Sequence, residues 1–280
     1  MQAASELLFL LCILGYGLVT IGYVAAWTLR RREGVTVAFF SLVTVTTAHA
    51  SVAVLHTVSE GRLPLGAPAG AGTVGPWDHP FPSLALLLAL VVCAAGLARP
   101  ATRILGSFIS PVVAGLVLGS LLVGAPEDTA ALLPVAFASA WVPLHTMAIY
   151  GSVGLFALAF GSGILYLRQD RRLRSKQLPE PGGVRLPSLG VLDSINHWGF
   201  TGGLFGLTIG IVTGTFVAAT GGVEAGDLRP KIVATLGLWM LYALGWQARY
   251  FFGWGGRKAA WFAIVGFVGL IASAVGIGHA

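Results

Sequence analysis

"LLFLLCILGYGLVTIGYVAAW", Leu7–Trp27, is an unbroken apolar run followed immediately by "TLRRREG", Thr28–Gly34. Twenty-one residues of helix rise about 30 Å, the thickness of a bilayer's hydrocarbon core. No basic segment precedes the run, it is too long for the apolar part of a secretory signal, and arginines follow it. These features predict a true span with a basic flank. Similar runs recur along all 280 residues, of which 56 % are hydrophobic and 10 % charged. A soluble domain carries roughly a quarter charged residues. With a mean hydropathy of +0.83, the chain reads as an all-α, polytopic transmembrane bundle. Its net charge of +6 is then a matter of topology, with nucleic acid excluded as a partner and the lipid bilayer implied.

The apolar runs place about eight helices, at 5–28, 36–58, 83–98, 104–124, 135–167, 191–219, 230–252 and 258–278. The chain reads as one integral membrane domain, 1–280, with four helices in 1–130 and four in 131–280. Fourteen of the seventeen Lys and Arg residues fall after helices one, three, five and seven, among them Arg30–Arg32, Arg168, Arg171, Arg172, Arg174 and Arg249. Only Arg62, Arg229 and Lys231 lie on the other side. By the positive-inside rule the basic loops are cytoplasmic and both termini extracytoplasmic, as in a bacterial cytoplasmic (inner) membrane. Two connections are long, the Gly/Pro-rich 59–82 with "GPWDHPFP" and the basic 168–190 with "LPEPGGVRLP".

Histidines mark the edges of the runs. His145, in "WVPLHTMAIYGS", precedes Arg168 by 23 residues, about 35 Å of helix. It therefore falls at the outer end of helix five, and His279, after helix eight, falls on the same side. Neutral imidazole suits axial ligation of iron, and a haem between two helices takes one ligand from each. The alternative is hydrogen bonding to lipid headgroups. His49 and His56 lie seven apart on one face of helix two, about 10 Å along the axis. An ionisable group as deep as His49 marks a functional site by default, although "TVTTAHAS" also offers interhelical hydrogen bonds. Trp141 and Trp239 could wall an apolar, plate-like ligand or serve in packing. Asp193 and Ser194 suit the start of helix six near His197. The glycines at 199, 202, 203, 206, 210 and 214 permit close helix approach. Cys12 and Cys93 lie inside spans and form no CxxC pair. Carboxylates are scarce, and zinc-protease, nucleophile-elbow and Walker motifs are absent. The sequence thus leans away from an enzyme, and without an inverted repeat it also leans away from a transporter.

From Trp141 onward, "LHTMAIYGSVGLFALAFGSGILYL", "LDSINHWGFTGGLFGLTIGIVTGTF" and "RPKIVATLGLWMLYALGWQARYFFGWGGRKAA", followed by a closing histidine, resemble the cytochrome c assembly family, in particular its CcsA and HemX-like members. The first half resembles it chiefly through "GRLPLG". The resemblance implies a membrane protein of cytochrome c biogenesis or haem trafficking that binds non-covalent, b-type haem. His145 and His279 would be its two external ligands to the metal. Partners implied are haem, other cytochrome c assembly subunits and an apocytochrome. The family's outer loop with repeated Trp and Asp is replaced here by "TGGVEAGDLRPK", without Trp. That departure points towards HemX-like members, and so towards a regulatory or scaffolding alternative in which the basic loop 168–190 contacts a haem-synthesis enzyme or assembly partner.

Overall fold

The computed structural model describes residues 2–29, 31–60, 77, 81–122, 135–176, 186–220 and 225–278. They form eight α-helices: α1 (Gln2–Thr28), α2 (Arg32–Glu60), α3 (Phe81–Ala98), α4 (Gly106–Leu122), α5 (Val135–Arg174), α6 (Leu189–Thr220), α7 (Ala225–Phe252) and α8 (Arg257–Gly278). Each contains the run that predicted it except α4, which is shorter at both ends than the run 104–124. The largest difference in length is α5, which continues to Arg174 because nothing in "RQDRRLR" breaks a helix; α2 and α7 also start several residues before their runs. A carboxylate–guanidinium pair one turn apart, Asp170 with Arg174 at 3.0 Å, supports that extension.

Among the described residues, six helical stretches are long and apolar enough to cross a membrane: 7–28, 32–59, 81–98, 100–121, 144–174 and 189–216. The protein is a multi-span membrane protein. Eight crossings were expected. Of the remaining two helices, α7 interrupts its apolar residues with Trp239, Tyr242, Trp246 and Gln247, and the side chains of α8 are described through Ser273.

The chain divides into two compact units, Met1–Pro143 and Leu144–Leu178 with Pro187–Ala280. The boundary falls inside α5.

In the first unit α1 packs on α2 and α4, α2 on α3, and α3 on α4, closing a four-helix ring. The buried face of α1 is Phe9, Cys12, Tyr16, Val19, Tyr23 and Ala26, a three–four spacing that keeps one stripe against its neighbours. A 3-10 turn, Pro100–Leu105, starts the fourth helix. The Thr102 hydroxyl contacts the carbonyls of Ala95 and Arg99, both at 2.8 Å, which tightens the turn from α3.

In the second unit the core is aromatic. Phe156 of α5 stacks on Tyr242 of α7 with centroids 3.7 Å apart and planes 10° from parallel, and Phe200 of α6 meets both edge-on. The glycines of α6 face α5. A Cβ on Gly199 would stand 2.8 Å from the Leu155 carbonyl, and one on Gly203 2.5 Å from Phe156. These contacts are possible only because the glycines have no side chain. The α7–α8 connection turns through Gly253 and Gly256, at φ +62° and +59°, a left-handed conformation that favours glycine.

Candidate functional site

His145 stands on α5 facing Gly210 and Gly214 of α6. Its Nδ1 lies 2.8 Å from the Gly210 carbonyl oxygen and 3.3 Å from Thr213 Oγ1. A carbonyl only accepts, so Nδ1 carries the hydrogen and donates it. The Thr213 hydroxyl donates to the Ile209 carbonyl at 2.7 Å, which leaves its oxygen able to accept from the same imidazole. In the neutral ring Nε2 therefore holds the lone pair, and it has no hydrogen-bond partner among the described residues. An imidazole whose far nitrogen is tied to a carbonyl is held in one orientation, with its other nitrogen free to bind a metal. Such a neutral imidazole nitrogen is a donor that could hold haem iron. Gly214 completes the socket: a Cβ there would come within 2.6 Å of His145 Cε1.

The other predicted positions are placed as follows. His279 lies outside the described residues, immediately after the last residue of α8. Trp141 stands on α5, four residues before His145, and is half-buried. Trp239, on α7, donates its indole N–H to Thr208 Oγ1 of α6 at 2.9 Å and packs against the Phe156–Tyr242 core. Thr208 and Gly210 are two residues apart on α6, about 200° around the axis. His145 and Trp239 thus meet α6 from different sides.

The first unit brings together a cluster whose full membership the sequence did not reveal. His49 of α2 is fully buried, with Nδ1 3.1 Å from the Tyr16 hydroxyl of α1. Trp77 is also buried. It stacks on His56 with centroids 5.7 Å apart, tilts over His49 at 5.5 Å and meets Phe9 edge-on at 5.0 Å. His49 and His56 therefore do share a face, and what they share is one indole. His49 Nε2 and Trp77 Nε1 are buried without a hydrogen-bond partner among the described residues. The heptad spacing of Phe9, Tyr16 and Tyr23 was the available signal that Tyr16 belongs to this interior face.

At the basic end of the second unit, Asp193 accepts two hydrogen bonds from Arg249 of α7, at 3.1 and 2.7 Å, and one from the Gly256 N–H at 2.9 Å. This clasp joins α6, α7 and the turn into α8. It corrects the reading of Asp193 as a helix-start residue: α6 begins four residues earlier, and Ser188 Oγ accepts from the Val191 N–H at 3.4 Å. Arg249 is likewise more than a topological charge. Within the same unit the Asn196 side chain donates to the Ala159 carbonyl at 2.9 Å.

Among curated proteins the chain is similar to cytochrome c biogenesis protein CcsA from several organisms. It is 30 % identical to that of Synechococcus sp. (strain CC9902) over 173 residues, covering 54 % of this chain and 56 % of the relative. It is 31 % identical to that of Parasynechococcus marenigrum (strain WH8102) over 173 residues, with the same coverage. For Prochlorococcus marinus (strain MIT 9313) the identity is 25 % over 175 residues, covering 54 % of this chain and 55 % of the relative. The chain thus spans about half the length of the curated relatives it matches. No solved structure matches it significantly. The family described as cytochrome C assembly protein matches residues 4–276, so the likeness first read from Trp141 onward extends through the N-terminal four helices as well. By that match over nearly its whole length, the chain belongs to the cytochrome c assembly protein family.

Proposed function

We propose that this protein binds haem within cytochrome c biogenesis or haem trafficking and holds it at the extracytoplasmic face of a bacterial cytoplasmic membrane. Its ligands would be His145 and His279. The observation that carries the reading is the His145 socket, a fixed tautomer with Nε2 unclaimed. Bis-histidine ligation would keep non-covalent haem iron six-coordinate, which suits holding and transfer over oxygen chemistry. Gly210 and Thr213 would aim the imidazole and Gly214 would give it room. Trp141 is the proposed apolar wall; Trp239, which meets α6 from another side than His145, belongs to the aromatic core instead. His49 and His56 are a second, deeper position, with Trp77 between them. In this reading the protein passes its cargo to assembly subunits or an apocytochrome and is not a stand-alone catalyst. Optical spectra of the purified protein test it. His145→Ala and His279→Ala should each lower haem content at least tenfold or convert the spectrum to five-coordinate. Unchanged spectra in both variants would refute the ligand assignment.

A second reading, the HemX-like regulatory or scaffolding role, draws on the length of α5. Its final turns carry Arg168, Arg171, Arg172 and Arg174 on a helical extension, a pre-ordered surface for an acidic partner. Charge reversal at Arg171 and Arg172 would then abolish partner co-purification and leave haem content untouched.

A further inference from the structure

The first unit carries a feature on α1 and α2 that the haem reading does not use. A groove of about 450 Å³ runs between them, lined by Gly15, Gly22, Ala25, Val37 and Ser41 among others, and ending at Arg31. It exists because the seam is built of small residues. A Cβ on Gly15 would stand 2.8 Å from Val45, and one on Gly34 2.9 Å from Ala26. The backbones are therefore close, and the trough beside the contact line is walled by Leu18, Leu29 and Val37. Ala25 and Val37 are exposed along it.

Its dimensions select the occupant. From Gly15 to Leu29 the rise along α1 is about 21 Å, and half of a hydrocarbon core is about 15 Å. The groove thus runs from near the bilayer midplane to the headgroup zone of one leaflet. Over that length it is lined by the apolar Leu18, Val19, Val37 and Val45 and opens at Arg31, the order of an acyl chain leading to a charged headgroup. The mouth is basic: Arg31 lines it and is exposed, and the exposed Arg32 follows it in the chain, before Glu33. The ion pairs formed among the described residues are those of Asp170 with Arg174 and Asp193 with Arg249, so neither arginine is neutralised there.

We propose that this groove is a binding site for an anionic phospholipid, with one acyl chain lying between α1 and α2 and the phosphate held by Arg31 and Arg32. Apolar fit alone would accept any phospholipid; the two guanidinium groups supply the headgroup preference. A basic residue near the surface favours anionic lipid by about fivefold.

The test is native mass spectrometry of the full chain from micelles containing equal phosphatidylglycerol and phosphatidylcholine of identical chains. Wild type should retain phosphatidylglycerol about tenfold or more over phosphatidylcholine. Arg31→Gln with Arg32→Gln should erase that preference while some lipid of either kind remains. Ala25→Phe, which fills the trough from an exposed position, should remove bound lipid of both kinds. Equal retention of the two lipids by wild type, or retention unaltered in both variants, overturns the proposal. So does a dimer of the chain that Ala25→Phe dissociates, since a second copy would then occupy this face. Haem spectra should be the same in all of these proteins, so this result stands or falls separately from the ligand assignment.

Discussion

Gly214 is the residue on which the His145 socket is most exposed to test. Adding one methyl group there places carbon 2.6 Å from the imidazole, closer than real contacts allow, and the ring must swing. Gly214→Ala is therefore expected to keep the fold and weaken haem binding by about 10–100-fold, the range for disturbing a group that orients a metal ligand. Haem titration followed by absorbance checks it. Tyr16→Phe is the corresponding test in the first unit. It leaves His49 Nδ1 as well as Nε2 without a described partner, and the expected loss of stability is about 1–3 kcal/mol, read from thermal unfolding in detergent. The sequence singled out His145, His49 and the glycines of α6. It could not say that Gly210 and Gly214 sit opposite His145, or that Tyr16 and Trp77 enclose His49, because such pairings come from the register of one helix against another.

For the helices, the apolar runs set the boundaries to within a few residues at most ends, since burial in lipid requires continuous hydrogen-bonded helix wherever the chain is apolar. The ends that moved most are the end of α5 and the starts of α2 and α7, at Arg32 and Ala225. α5 ran on through its arginines, and α6 began at Leu189 after Ser188. The α5–α6 packing predicts that Gly203→Leu, pressed against Phe156, costs about 1–3 kcal/mol by overpacking. The Asp193–Arg249 clasp predicts a loss of about 2 kcal/mol for Arg249→Gln. Arg249→Lys should fail to restore it, because an ammonium cannot make the two-pronged bond. Thermal unfolding of the three variants decides both.

For the molecule as a whole, the distribution of Lys and Arg predicts sidedness. Cys12 and Cys93 are buried, so single cysteines introduced at the exposed positions Ser59 and Ser175 report it without interference. An impermeant thiol reagent outside intact cells should label Ser59→Cys and leave Ser175→Cys unlabelled; the reverse pattern would invert the proposed topology. Membrane class, helix number and family all lay in the sequence, because they depend on composition, run length and local motif order, each legible along a single chain. The tertiary structure decided which polar groups find one another: Asp193 with Arg249, His145 with Gly210, and His49 with Tyr16 beside Trp77. Those pairings join residues 33 to 65 positions apart. Where an apolar exterior satisfies lipid on every side, only the packing of helix against helix fixes which polar atoms are paired and which are left to take a ligand.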